Sequence, residues 1–164
     1  MKIRPDLSLA DIYGIDAEFL KSKGIRGIGF DIDNTLEAYS TAQPGERSSA
    51  FLRSLIEQGL QVGLVSNASR KRIERFASGF PEDIAGRIHV VYKAAKPLKK
   101  GFREMAGLME LADCSELAFC GDQLFTDILG ARRSGALAIL VEPIKLSAEP
   151  PFVRFKRRLE KLFK

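Results

Sequence analysis

Short apolar runs recur along this chain, and each ends in a small or acidic polar cluster. Residues 25–30, 61–65, 88–92, 117–120 and 136–141 are such runs, four to six residues long. Their length and near-continuous apolar character predict strands buried on both faces. Stretches with helical spacing lie between them. Gly45-Glu46 opens one that carries Phe51, Leu52, Leu55 and Ile56 on a single face and stops at Gly59. Ser66-Asn67-Ala68-Ser69 supplies the N-cap of a second, over 70–78. Lys96-Pro97 opens a third, running to about Leu111 with proline at its first position. A fourth spans about 124–133, with Gly135 as the residue that ends it. Before the first strand, residues 7–22 read as one or two short helices, with Asp16 capping Ala17. The alternation of strand and helix predicts an α/β fold: a doubly wound, Rossmann-like parallel sheet with helices on both faces.

Four of these strands are followed by distinctive polar residues. Asp31 and Asp33 follow the first, Ser66 and Asn67 the second, Lys96 the third, and Asp122 with Asp127 the fourth. In an open parallel sheet the carboxyl ends of the strands line one crevice, so four such placements converge on one site. Acids at i and i+2 at a strand end project to the same side, and they repel unless a cation or a proton lies between them. Gathered carboxylates call for a hard, oxygen-ligated cation, with Mg²⁺ the best match. A hydroxyl before a helix and an ammonium are anion-binding groups suited to phosphate oxygens. A carboxylate not consumed by the metal is able to attack phosphorus.

In this order the motifs resemble the haloacid dehalogenase (HAD) superfamily of phosphatases. Asp31-Ile32-Asp33-Asn34-Thr35-Leu36 is similar to its first motif, Val65-Ser66-Asn67 to its second, Lys96-Pro97 to its third, and Gly121-Asp122-Gln123-Leu124-Phe125-Thr126-Asp127 to its fourth. With Ile139-Leu140-Val141-Glu142-Pro143 the set resembles the YqeG-type branch of subclass IIIA, over about residues 5–145. The resemblance implies that Asp31 is nucleophile and metal ligand. It makes Asp33 the general acid and base, with its backbone carbonyl on the metal. Ser66, Asn67 and Lys96 would hold the phosphoryl group, and Asp122 and Asp127 would complete the metal site. Gly130-Ala131-Arg132-Arg133 stands where the family commonly has Gly-Gly-Asn-Arg. Relatives in this branch include phosphatases of phosphatidylglycerophosphate, which makes that lipid the leading substrate. A soluble nucleotide or sugar phosphate is the alternative, and a membrane- or partner-binding module with a vestigial phosphate site is the non-enzymatic one.

Members of the superfamily usually carry a cap domain after the first or second motif. Residues 36–66 and 67–96 are too short to hold one, so the site is expected to be open, or covered by a second subunit. An open site suits a bulky lipid headgroup.

Charge adds one feature. The chain of 164 residues carries a net charge of +5, and residues 150–164 account for all of it, with six basic residues against Glu160. On a helical wheel Phe152, Phe155, Leu159, Leu162 and Phe163 gather on one face, and Arg154, Arg157, Arg158, Lys161 and Lys164 on the other. The expected organisation is therefore a single phosphatase domain over 1–148 and a basic amphipathic tail over 149–164. That tail either contacts a membrane peripherally or packs back on the domain. No groove-reading motif for nucleic acid is present.

Composition narrows the rest. At 45% hydrophobic and 29% charged residues this is ordinary globular material. No apolar run approaches a membrane span, and the N-terminus lacks the core of a signal peptide. Cys114, Cys120 and His89 have no zinc-ligand spacing. The thiols are expected to be reduced, and the protein cytoplasmic or peripheral at the inner face of a membrane.

Overall fold

The computed structural model describes residues 2–163. Six parallel strands form one sheet: β1 (Leu7–Leu9), β2 (Gly27–Phe30), β3 (Gln61–Val65), β4 (Ile88–Val91), β5 (Leu117–Gly121) and β6 (Leu137–Val141), in the order β1-β6-β5-β2-β3-β4. The helices are α1 (Ala17–Ser22), α2 (Glu46–Glu57), α3 (Arg70–Ala77), α4 (Glu82–Ala85), α5 (Lys100–Leu108), α6 (Leu129–Ser134) and α7 (Pro151–Glu160). The expected doubly wound α/β sheet is the observed one.

Every residue of β2 and β5 is buried, as their unbroken apolar sequences require. One face of the sheet is covered by a cluster that includes Leu20, Leu52, Leu55, Ile73 and Phe76. The other face carries Phe102, Met105, Met109, Phe119 and Ile128, with the Phe102 and Phe119 rings edge to face at 5.0 Å. Helix α5 seats closely because β3 has glycine beneath it: a Cβ on Gly63 would lie 2.4 Å from the Met105 sulfur. From β2 the chain runs outward through β3 and β4, then returns to the other side of β2 with β5 and β6. The strand order therefore reverses at β2 and β5, where crevices open in such sheets.

Two expectations for local structure are corrected. Residues 7–22 do not begin as a helix; Leu7–Leu9 is an edge strand paired with β6 in the register Leu7↔Ile139. Asp6 secures it, its backbone N–H donating to the Ala138 carbonyl and its carboxylate accepting from the Ala138 N–H, both at 2.8 Å. Asp16 does cap α1, accepting from the Phe19 N–H. The second correction concerns Pro97, which does not open a helix. The Lys96–Pro97 peptide is cis, Leu98 N–H closes a turn onto the Ala95 carbonyl, and α5 starts only at Lys100. The backbone at Lys96 is held in the loop by Asn67, whose amide oxygen accepts from Lys96 N–H (2.7 Å) and whose amide nitrogen donates to Lys96 C=O (3.1 Å).

The stretch 124–133 also divides: a π-helical turn over Leu124–Ile128 precedes α6. Gly135 ends α6 at φ +92°, the left-handed conformation its position predicts. The divergent residues Ala131 and Arg132 lie away from the carboxylates. Ala131 is buried in the core, and Arg132 pairs with Asp6.

Candidate active site

Three carboxylates and one ammonium meet where β2 and β5 end. Asp31 follows β2, Asp122 follows β5, and Asp127 reaches back from the π-helical turn. One oxygen from each carboxylate lies within 4.8 Å of the others. Gly121 permits the return of Asp127: a Cβ there would lie 2.5 Å from its Cβ, Cγ and Oδ2. Asp127 is pinned further by the Gln123 N–H, which donates to Oδ2 at 3.0 Å. Lys96 Nζ enters from the loop after β4 and donates to Asp31 Oδ1 (2.8 Å) and Asp127 Oδ1 (2.7 Å). All four residues are buried. The neighbouring Lys93 is exposed, so burial makes the same choice of lysine as the Lys-Pro pattern.

Around this cluster lies a second layer that the motifs left without roles. Thr35 donates its hydroxyl to Asp122 Oδ1 at 3.1 Å. Arg157, two turns into α7, forms an ion pair with the other Asp122 oxygen and donates to the Asp122 carbonyl at 3.1 Å. The same guanidinium binds Glu149 through Nε at 2.8 Å. Glu149 in turn accepts from the Asn34 amide at 2.8 Å. Asn34 sits at φ +60°, a backbone conformation that asparagine tolerates, and its oxygen accepts from Tyr39 and Lys145 N–H groups. Glu149 and Arg157 are therefore part of the site. Helical periodicity placed Arg157 only on a polar face; nothing in the sequence pointed it at Asp122.

The electrostatics have one sign. Asp31, Asp122, Asp127 and Glu149 are ion-paired to only two cations, Lys96 and Arg157, leaving a formal charge of −2 in this network. Burial first, then Asp127, pushes the Asp31 carboxyl up to about 6, although Lys96 opposes the shift. Burial, with Asp127 and Asp31 beside it, pushes Asp122 up to about 8 against the pull of Arg157. For Lys96 burial alone would lower the ammonium, but Asp127 and Asp31 outweigh it and hold it above its ordinary value. A buried all-oxygen donor set two charges short of neutrality fits a divalent hard cation, held by Asp31, Asp122 and Asp127.

The remaining predicted residues line the same cavity, of about 460 Å³, with Asp31, Lys96 and Asp127 on its floor. Ser66 is buried at the end of β3, and its hydroxyl accepts from the Ala68 N–H at 3.1 Å. The cap of α3 is Ser69 instead. Asn67 borders the cavity while its amide is engaged on the Lys96 backbone. Asp33 stands apart from the buried trio: its carboxylate takes both Nη atoms of Arg72 (2.8 and 2.6 Å) and the Ser40 N–H (2.9 Å). Phe152 and Lys156 of α7 complete the rim. Among the described residues no cap domain is inserted after either of the first two motifs.

Comparison with known proteins agrees with this geometry. Residues 1–145 match the family described as mitochondrial PGP phosphatase. The probable phosphatase YqeG of Bacillus subtilis is 35% identical over 159 residues, covering 96% of this chain and 87% of that protein. A chloroplastic/mitochondrial phosphatidylglycerophosphate phosphatase 1 of Arabidopsis thaliana is 32% identical over 163 residues; the chain spans 46% of its length. Among solved structures, the Mg²⁺- and phosphate-bound 3-deoxy-D-manno-octulosonate 8-phosphate phosphatase of Moraxella catarrhalis shares the fold. Its TM-score is 0.52 at 18% identity, over 80% of this chain and 76% of that one. An uncharacterised protein of Listeria monocytogenes gives 0.58 at 15%, over 82% and 99%. The ordered motifs, the carboxylates at the ends of β2 and β5 and these matches agree: the chain belongs to the PGP phosphatase family and is a YqeG-type phosphatase of the HAD fold.

Proposed function

We propose that this phosphatase hydrolyses phosphatidylglycerophosphate with Mg²⁺, through an aspartyl-phosphate on Asp31. The observation that carries the reading is the buried Lys96 ammonium bridging Asp31 and Asp127, with Asp122 within 4.8 Å. Mg²⁺ held by Asp31, Asp122 and Asp127 would supply positive charge to the phosphoryl oxygens. An Asp31 carboxylate oxygen attacks phosphorus, and the bond to the headgroup oxygen breaks with its electron pair. Asp33 gives that oxygen a proton. Water then attacks the same phosphorus, Asp33 takes a proton from that water, and inorganic phosphate leaves with Asp31 restored and Asp33 protonated again. Ser66 and Lys96 hold phosphoryl oxygens throughout, and Asn67 keeps Lys96 aimed by gripping its backbone. Asp33 must leave Arg72 to act, and a bound phosphate is the natural competitor for that guanidinium.

The substrate assignment rests on the names of the relatives and on the open rim. It is tested by Mg²⁺-dependent phosphate release from phosphatidylglycerophosphate beside a panel of soluble phosphomonoesters. Preferential turnover of the lipid is expected. Turnover of soluble esters alone would retain the chemistry and remove the lipid. A lipid substrate would bring the protein to a membrane surface, and no helix among the described residues is long and apolar enough to cross one.

The metal reading has a readout that needs no turnover. Asp31 and Asp122 titrate higher in the folded chain (about 6 and about 8) than a free carboxyl. Their contribution to stability is thus present below about pH 4 and is lost as pH rises through 6 and 8. Mg²⁺ requires the ionised carboxylates, so it replaces what is lost. At a concentration about 100 times its dissociation constant it adds about 2.7 kcal/mol, several degrees in the thermal midpoint. The expected shift is larger at pH 8 than at pH 5.5. Equal shifts at both, or none, would remove the metal from this cluster.

A further inference from the structure

Helix α7 is seated the opposite way round from an ordinary amphipathic helix of a water-soluble domain. Its inward contacts are largely charged: Arg157 on Asp122 and Glu149, and buried Glu160 accepting from the Phe125 N–H at 3.0 Å. Val153 and Phe163 add the apolar part, the latter edge to face with Phe125 at 5.2 Å. The rest of the apolar face points outward. Phe152 is 67% exposed, Phe155 63%, Leu159 40% and Leu162 78%. Spaced 3, 4 and 3 residues apart, these four form one stripe on the helix surface and its continuing turn. Six of the ten large apolar residues exposed among the described residues fall between 144 and 162. Apolar surface is concentrated here rather than scattered, and concentrated exposed patches mark interaction sites.

We propose that this outward face of α7 docks on a bilayer containing anionic phospholipid, and thereby holds the mouth of the active site at the lipid surface. Charge selects the occupant. Arg154, Arg158 and Lys161 are exposed and, by helical spacing, run along one side of the stripe; Lys164 lies outside the described residues. An apolar stripe bordered by Lys and Arg is the pattern of a helix lying in a membrane interface, and each cation near an anionic surface adds attraction. Position ties the surface to the site. Phe152 belongs both to the stripe and to the rim of the cavity, and Lys156 stands on the same rim. The grip of Arg157 on Asp122 fixes the angle between stripe and cavity, so the helix orients the enzyme as well as tethering it. The helix does pack on the domain, but through Arg157 and Glu160 rather than through its apolar face, and that leaves the apolar side available for the proposed lipid contact. The purpose given to the surface rests on the lipid-headgroup reading of the site, whereas its binding is measurable without that reading.

The test is co-sedimentation of the full chain with vesicles of phosphatidylcholine, alone or mixed with phosphatidylglycerol. It is run on wild type, on Asp31→Asn and on Phe155→Ser/Leu162→Ser, beside turnover of p-nitrophenyl phosphate by wild type and the double variant. Wild type and Asp31→Asn are expected to bind the anionic vesicles alike, and more weakly as salt rises. The double variant is expected to bind at least roughly tenfold more weakly, with unchanged turnover of the soluble ester. Wild type left in the supernatant would overturn the proposal, as would a double variant that binds as well as wild type. A concentration-dependent dimer dissolved by the double variant, with no vesicle binding, would assign the face to a second copy instead. Vesicle binding without hydrolysis of phosphatidylglycerophosphate would sink the substrate reading and leave the docking surface standing.

Discussion

Asp31→Asn lowers turnover by about four orders of magnitude or more, the scale seen when a nucleophile is removed from a machinery that acts as a unit. The substitution keeps the shape of the side chain and its place beside Lys96 Nζ, which donates to it at 2.8 Å. What it removes is the negative oxygen that attacks phosphorus. Spontaneous hydrolysis of a phosphate monoester is slow enough that up to ~10²¹-fold acceleration is required, and one positioned donor supplies only about 3–4 kcal/mol of it. No other group in the cavity can therefore take over. Folding should persist, because a neutral amide lightens the burial penalty and the like-charge repulsion that push the Asp31 and Asp122 carboxyls up. Steady-state phosphate release and a thermal melt on the same sample check both halves. An Asp31→Asn protein with wild-type turnover would remove the aspartyl-phosphate.

Lys96→Met acts in the opposite sense on stability. Lys96 is buried and pairs with two carboxylates that are themselves buried. Truncating one partner of such a network leaves uncompensated charge in the interior and costs about 3–5 kcal/mol. The expected result is a large drop in urea midpoint together with loss of turnover. Mg²⁺ should recover part of the stability, by answering the charge that the ammonium no longer answers, and none of the activity. Lys93→Met is the control: an exposed lysine three residues away, expected to change stability by no more than about 0.5 kcal/mol. Equal effects of the two substitutions would show that Lys96 is not the buried counter-ion of this site.

These two residues also show how far the sequence reaches. Asp31, Ser66, Lys96 and Asp122 stood out as candidates because each follows a predicted strand, and parallel strands bring their ends to one edge; Asp127, in the turn beyond, stood out through the spacing of the fourth motif. The strand runs themselves were legible because β2, β3 and β5 are buried on both faces and have little choice of residue. Strand β1 was not legible. Leu-Ser-Leu is too short to carry a pattern, and it becomes a strand only because β6 offers an edge with Asp6 to close it. Helix α5 begins late because a side chain far away in the chain, Asn67, holds the backbone of Lys96 in a loop.

The tail divides in the same way. Its charge, its amphipathic period and its helicity were determined by the sequence alone, since they depend on residues within a few turns of one another. Which face turns inward was decided by the tertiary structure. The buried Asp122 and Glu149 need a cation, Arg157 stands at the radius to provide it, and that ion-paired contact outweighs burial of Phe152, Phe155 and Leu159. Periodicity records which residues share a side of a helix; only the charges waiting on the domain determine which side it keeps.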